Sequence, residues 1–172
     1  MKMARIAEKN LAQEEVVSLC SLHSGNRLFG VDTREIREVL GAAVPQPVPL
    51  APAYIAGVIS YRGNVLTTVS LRALLGMERQ SGASCVLVLE DEEPGRQFGL
   101  MADGVGSLVT TTASELEANP STLEARSAAI FDGVYKMQAG LMVRLDPRRL
   151  RPLQLARSGL FGNAKQQRGW ER

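Results

Sequence analysis

Histidine occurs once in this chain, cysteine twice, and aromatic side chains make up only 5% of its 172 residues. Each scarcity removes a class of function. His23 and the widely separated Cys20 and Cys85 lack the close ligand spacing of a zinc site. A Ser-His-Asp triad would have to use His23, which sits beside the turn signal Ser24-Gly25-Asn26 and reads as a surface residue. The cysteines lie inside apolar runs and read as buried free thiols in a reducing cytosol. No basic, aromatic-rich strand is present on which bases would stack. No apolar run approaches the roughly 18 residues of a membrane helix. The opening MKMARIAEKN has neither the apolar stretch nor the cleavage site of a secretory leader. Phosphate-cradling loops and dinucleotide fingerprints are missing too. The acidic run Glu90 to Glu93 reads as a solvated turn rather than a hard-cation site. No catalytic, cofactor or metal residues are therefore expected, and the chain is not read as an enzyme.

The sequence has instead ample material for a core: 45% of its residues are hydrophobic, with Val, Leu, Ile and Met in place of aromatics. Its net charge of +2 conceals an asymmetry. Residues 1–147 hold 13 Lys/Arg against 17 Asp/Glu, whereas residues 148–172 hold 7 against 1. That basic tail suits either an anion-binding segment or a solvated helix with a loose end, and Gly162 to Arg172 reads as disordered.

The most informative stretch is PAYIAGVISYRGNVLTTVSLRALLG, residues 52–76. Two runs rich in β-branched residues, Ile55 to Tyr61 and Val65 to Leu71, flank Arg62-Gly63-Asn64, the pattern of a β-hairpin. Gly63 suits the positive φ of such a turn. Arg62 then stands at a strand end where packing does not call for a guanidinium. Its fixed fork of donors fits a partner's carboxylate or carbonyl, and its alternative role is an internal salt bridge that fixes the turn.

Similar short runs recur along the chain. Strands are expected over Val16–His23, Arg27–Val31, Ser84–Leu89, Gln97–Ala102, Ser107–Thr111, Ala129–Met137 and Leu141–Leu145, with turn signals every eight to twelve residues. Asp103 to Gly106 reads as a turn and Pro120 to Ser127 as a loop. Asp32 or Thr33 is expected to cap a short helix in which Ile36, Val39 and Leu40 form an apolar face, Glu38 lies off it, and Gly41 ends it. Four prolines between Pro45 and Pro52 restrict that segment to an extended edge or connector. Leu71 to Leu75 reads as a short helix, and Thr112-Ala113-Ser114-Glu115 as a capping box. A terminal helix is expected from Asp146 or Pro147 to about Gln154. The polar stretch Met77–Ala83 is a candidate boundary between two halves. The fold class is mainly β: two linked five-stranded barrels that share one apolar core, with few helices.

These residues also resemble a known family. Gly57-Val58-Ile59-Ser60-Tyr61-Arg62-Gly63-Asn64-Val65, followed by Val69-Ser70-Leu71-Arg72, is similar to the G-V-x-N-x-R-G-x-V…V-D-L-R core of CheW, the chemotaxis coupling proteins. Phe29-Gly30-Val31-Asp32 with Ile36-Arg37-Glu38-Val39, and Pro52-Ala53-Tyr54-Ile55-Ala56-Gly57, resemble that family's approach to the hairpin. Phe98-Gly99-Leu100 with Asp103-Gly104-Val105, and Phe131-Asp132-Gly133-Val134, resemble later segments less specifically. The resemblance spans about residues 15–155 and implies one domain over 14–156, built as two five-stranded SH3-like β-barrels. It implies a non-catalytic adaptor with no cofactor. One implied partner is a CheA-type histidine kinase, whose regulatory domain pairs with one barrel; the other is a chemoreceptor's cytoplasmic helical hairpin, held in the groove between barrels. Barrel-to-barrel pairing would equally allow self-association. The implied location is the cytoplasm, at receptor arrays, without membrane insertion. A non-flagellar pathway (pili, surface sensing, gene control) would use the same scaffold, and a nucleic-acid-binding barrel using the basic tail is the competing class.

The partner-contact candidates are Arg62, Glu38, Ile36, Val39, Val58 and Leu108, with Gly57 and Gly63 setting the backbone. For Ile36, Val39, Val58 and Leu108 the default reading is core. Ser70 stands where the family usually has Asp, which is expected to leave Arg62 or Arg72 without an internal carboxylate.

Overall fold

A computed structural model describes residues 14–162. The chain runs through β1 (Val16–Ser24), β2 (Arg27–Asp32), β3 (Ile36–Ala43), β4 (Ile55–Tyr61), β5 (Asn64–Ser70), α1 (Leu71–Leu74), β6 (Ser84–Glu90), β7 (Gln97–Ala102) and β8 (Gly104–Thr112). It finishes with α2 (Ala125–Ile130), β9 (Phe131–Met137), β10 (Gly140–Leu145) and α3 (Pro152–Ser158). Two five-stranded sheets result, in the orders β8-β1-β2-β10-β9 and β3-β6-β7-β5-β4. Each contains one parallel pair, β2 with β10 and β5 with β7, and the remaining neighbours are antiparallel. The orders superpose element for element: the β4–β5 hairpin corresponds to β9–β10, and β3 to β8.

Each sheet curls shut through a single rung. Gln46, beyond β3, exchanges two 2.8 Å backbone hydrogen bonds with Val58. Glu117, beyond β8, does the same with Val134 at 2.9 Å. The Pro-rich segment after β3 is thus extended, as expected, and its Gln46 supplies the closing pair between two prolines that lack N–H groups. A glycine adjoins each closure. A Cβ on Gly57 (φ +147°) would run into the Gln46 carbonyl, and one on Gly133 would lie 2.6 Å from the Glu117 carbonyl oxygen.

The halves are not N-terminal and C-terminal, so the boundary expected at 77–83 is corrected. That stretch joins α1 to β6 within one sheet, while the other sheet is assembled from β1, β2 and β8–β10, at both ends of the chain. One large core joins the two: Leu22, Phe29, Val31 and Leu145 of the first sheet pack with Val69, Leu87, Leu89 and Leu100 of the second. A smaller cluster of Val17, Leu19, Tyr135 and Met142 belongs to the first barrel alone. Within it the Tyr135 hydroxyl is buried and has no hydrogen-bond partner among the described residues. Burying an unmatched hydroxyl is unfavourable, so Tyr135→Phe is expected to raise stability by about 1 kcal/mol in urea unfolding; a loss of similar size would reveal a partner for the oxygen.

The helix expected over residues 32–41 is a strand. Asp32 does cap, its carboxylate accepting from Arg34 N–H at 2.9 Å, but only a three-residue 3-10 turn, Thr33–Glu35, follows. β3 then pairs with β6, with irregularities between Ile36 and Glu38 and between Leu40 and Ala43. Those bulges blur the two-residue alternation into an i, i+3, i+4 spacing. Three further expectations are corrected. Gly104–Gly106 belong to β8 rather than a turn, residues 125–130 form α2, and Pro152 interrupts the terminal helix. Cys20 is buried as expected, but Cys85 is only half-buried. The expectation for Gly162–Arg172 falls, beyond Gly162, outside the described residues.

Candidate protein-docking site

The β4–β5 turn holds Arg62 and Gly63 at its centre, with Tyr61 opposite Asn64. Both central residues have positive φ, +48° and +78°, the mirror-image turn whose twist matches the flanking strands. Gly63 adopts this freely, whereas Arg62 is held there against its side chain's preference. The guanidinium lies over the Tyr61 ring, 5.3 Å from its centroid, and donates to Glu38 Oε2 at 2.9 Å. The Tyr61 hydroxyl donates to the same oxygen at 2.7 Å. Glu38's carboxyl is accordingly held below the usual carboxylate range, first by the Tyr61 hydroxyl and then by Arg62, while the carboxylate beside it pushes the Tyr61 phenol up.

Arg62 takes the internal role that its sequence offers as the alternative to a partner contact. It forms the internal ion pair, yet its side chain remains 73% exposed. A solvent-exposed ion pair adds little stability. Its effect here is to aim the remaining donors of the fork outward from a fixed base. A hollow of about 600 Å³ opens beside it, bordered by Val65, Arg96 and Pro152. Val65 is 75% exposed, an apolar contact next to the cation.

The structure brings Glu38 and Arg62 together only because β3 is a strand. Tyr61, which completes the cluster, was not among the expected site residues; an aromatic at the strand end beside a turn cation was the available signal. Val58 is half-buried in β4 and spends its backbone on the closing rung. Ile36 is half-buried against the shared core, whereas Val39 is exposed on β3. Leu108 is exposed but lies on β8 of the other barrel, opposite Cys20, and so does not belong to this cluster.

Nor does Ser70 leave an arginine stranded. Arg62 has Glu38. Arg72, in α1, grips Asp103 with both prongs, Nε to Oδ1 at 2.6 Å and Nη2 to Oδ2 at 2.9 Å. Asp103 Oδ2 also accepts from the Gly25 N–H at 2.6 Å. Since Gly25 is in the β1–β2 turn, this latch ties the first barrel to the second. Ser70 itself accepts from Ala73 N–H at 3.2 Å and so caps α1, a role open to Ser and Asp alike.

Among the described residues, no group of three His, Cys, Asp or Glu side chains is placed to hold a metal ion. His23 is exposed beside its turn. Among the described residues, no helix is long and apolar enough to cross a membrane. The described arginines of the basic tail are engaged: Arg148 and Arg149 with Asp146, Arg157 with Glu92, and Arg151 with the Glu90 carbonyl.

Two closed five-stranded sheets around a shared core define the class of protein by its fold, a double β-barrel. The model of the CheW-like domain matches residues 18–152, and the chain belongs to that family. It is 28% identical over 130 residues to a chemotaxis protein CheW of Rhizobium meliloti, covering 74% of this chain and 84% of that one. A chemotaxis protein CheW of Treponema pallidum is 20% identical over 145 residues, covering 80% and 83%. Among solved structures, the scaffolding protein TtCheW of Thermoanaerobacter tengcongensis shares the fold with a TM-score of 0.68 at 20% identity, covering 78% of this chain and 91% of that one.

Proposed function

We propose that this chain is a non-catalytic adaptor of chemosensory signalling, coupling chemoreceptors to a CheA-type histidine kinase. In this reading the kinase's regulatory domain docks against one barrel, and a receptor's cytoplasmic helical hairpin docks along the groove between barrels. The place of action is the cytoplasmic side of a receptor array. Membership of the family supports the class of role. The observation that carries the site is the Arg62 cluster: an exposed guanidinium fixed by Glu38 and Tyr61 on a strained turn. A guanidinium so oriented loses less freedom on binding than one on a loose stem.

The variant that tests the site is Arg62→Asn, because Asn tolerates the left-handed turn conformation that Ala does not. Its melting temperature is expected to stay within about 3 °C of the natural chain. Its affinity for the kinase regulatory domain or the receptor hairpin is expected to fall by about 2 kcal/mol, roughly thirtyfold. Calorimetric titration of both partners decides it. Unchanged affinity for both, with the fold intact, would reject Arg62 as a contact.

A further inference from the structure

Beyond β10 the chain leaves the first barrel and crosses to the second. Arg151 Nε donates to the Glu90 carbonyl at 3.4 Å, and Arg157 of α3 pairs with Glu92 at 3.3 Å. Leu155 and Phe161 enter the shared core. The Phe161 ring stands nearly perpendicular to that of Tyr54, 6.4 Å between centroids, and the Arg126 guanidinium of α2 lies over it at 5.2 Å. Tyr54 precedes β4 of the second barrel and Arg126 precedes β9 of the first, so Phe161 touches both. Neither sheet needs this segment to close, because the closing rungs are Gln46 with Val58 and Glu117 with Val134.

Arg126 is the exception in this contact. Its Nε is buried and has no hydrogen-bond partner, and no carboxylate pairs with its guanidinium, among the described residues. A ring face attracts the cation but offers the Nε–H no oxygen. A charged donor shut away from water without an acceptor raises the energy of the state that buries it. The remaining ties of the segment are light. The Arg157–Glu92 pair is largely exposed and adds little. The helix α3 has only seven residues, and Leu153 and Leu160 on either side of Leu155 are 49% and 40% exposed.

We propose that residues 152–161 form a releasable clasp across the barrels, loaded by the unmatched Arg126 donor. The segment lifts off as a unit while both barrels stay folded, and its opening uncovers Tyr54 and the Arg126 guanidinium together. In the closed state the burial of Leu155 and Phe161 holds the clasp down, and the unmatched Nε–H works against it. In the open state water reaches Nε and that cost disappears. The arginine thus brings the two states closer in energy than an apolar side chain at 126 would. The Arg72–Asp103–Gly25 latch contains no residue of the clasp, so the barrels remain tied when it opens. The opposite role, an arginine that anchors Phe161 through its charge, predicts the reverse effect of removing it.

Native-state hydrogen exchange of the full chain, read by NMR at low urea, tests this. The Leu155 and Gly159 N–H groups, bonded to the Arg151 and Ala156 carbonyls, are expected to exchange through one common opening. It should be about a hundredfold faster than exchange in β6 and β7 and depend weakly on urea. Arg126→Met keeps an unbranched side chain against the ring and removes the unmatched donor, and is expected to slow that opening about fivefold. Phe161→Ala is expected to speed it about tenfold or more while β1 and β6 stay protected. The Arg126 Nε–H resonance should be protected from solvent in the natural chain and lose that protection in Phe161→Ala. Exchange of Leu155 and Gly159 only with global unfolding would overturn the proposal. So would faster opening in Arg126→Met, which would make the arginine an anchor. Loss of protection throughout Phe161→Ala would make the segment part of the core, and an Nε–H equally protected in Phe161→Ala would show that Phe161 does not cover it; either result contradicts the clasp.

Discussion

Gly57→Ala is expected to cost about 4 kcal/mol of stability and to lower the melting temperature by about 10 °C. The substituted methyl group would run into the Gln46 carbonyl, with its carbon 2.7 Å away and Pro45 Cβ at 3.1 Å. Backbone is not free to yield as a side-chain tip would be, and this carbonyl is the acceptor of the rung that closes the second barrel. Residue 57 would also be held at φ +147°, a conformation L side chains rarely adopt. Opening the rung would expose Val58 and free the Pro-rich segment. The expected hydrogen-exchange pattern is loss of protection at Val58 and Gln46 before β6 and β7. Gly133→Ala at the matching closure should behave alike, because its Cβ meets the Glu117 carbonyl oxygen at 2.6 Å. A Gly57→Ala chain as stable as the natural one would mean that the barrel does not close through Gln46.

Asp103→Ala is the second large effect, about 3 kcal/mol, or roughly 8 °C. The side chain of Asp103 is only 9% exposed, and its removal leaves the Arg72 fork and the Gly25 N–H without their acceptor. The loss should depend on pH. The Arg72 side chain holds the Asp103 carboxyl below its usual range, with the Gly25 N–H adding to this and burial opposing it. A carboxyl whose folded pKa is depressed stabilises the fold above its unfolded value, near 3.8, and loses that contribution as pH falls through the folded value. Urea midpoints of the natural chain and Asp103→Ala should therefore differ strongly at pH 7 and converge as the pH is taken well below 4. A constant difference across that range would show that the latch does not act through its charge.

Much of this architecture is legible in the sequence, and the parts that are not share a cause. Hairpins announce themselves locally: Arg62-Gly63-Asn64 between β-branched runs leaves little choice, and Thr112 to Glu115 forms the expected capping box. Residues 36–43 mislead because two bulges disturb their alternation. What remains is Ile36, Val39 and Leu40 at helical spacing, until pairing with β6 overrides it. That one error hides the Glu38 partner of Arg62, since Glu38 can meet Tyr61 and Arg62 only from a neighbouring strand. The Arg72–Asp103 latch spans 31 positions, and the Arg157–Glu92 pair 65. Nothing in spacing or composition points to such contacts. The closing rungs are equally silent, each being one residue pair outside any strand pattern. The interleaving of the barrels is hidden for the same reason: the first and last strands look like parts of separate halves until β2 pairs in parallel with β10.

The measurement closest to the centre of this account is calorimetric titration of the full chain with the regulatory domain of a CheA-type kinase from the same cell. A saturable heat is expected, tight enough to persist at micromolar concentration and reduced about thirtyfold in affinity by Arg62→Asn. Absence of binding by the folded chain, or binding that ignores Arg62→Asn, would contradict it.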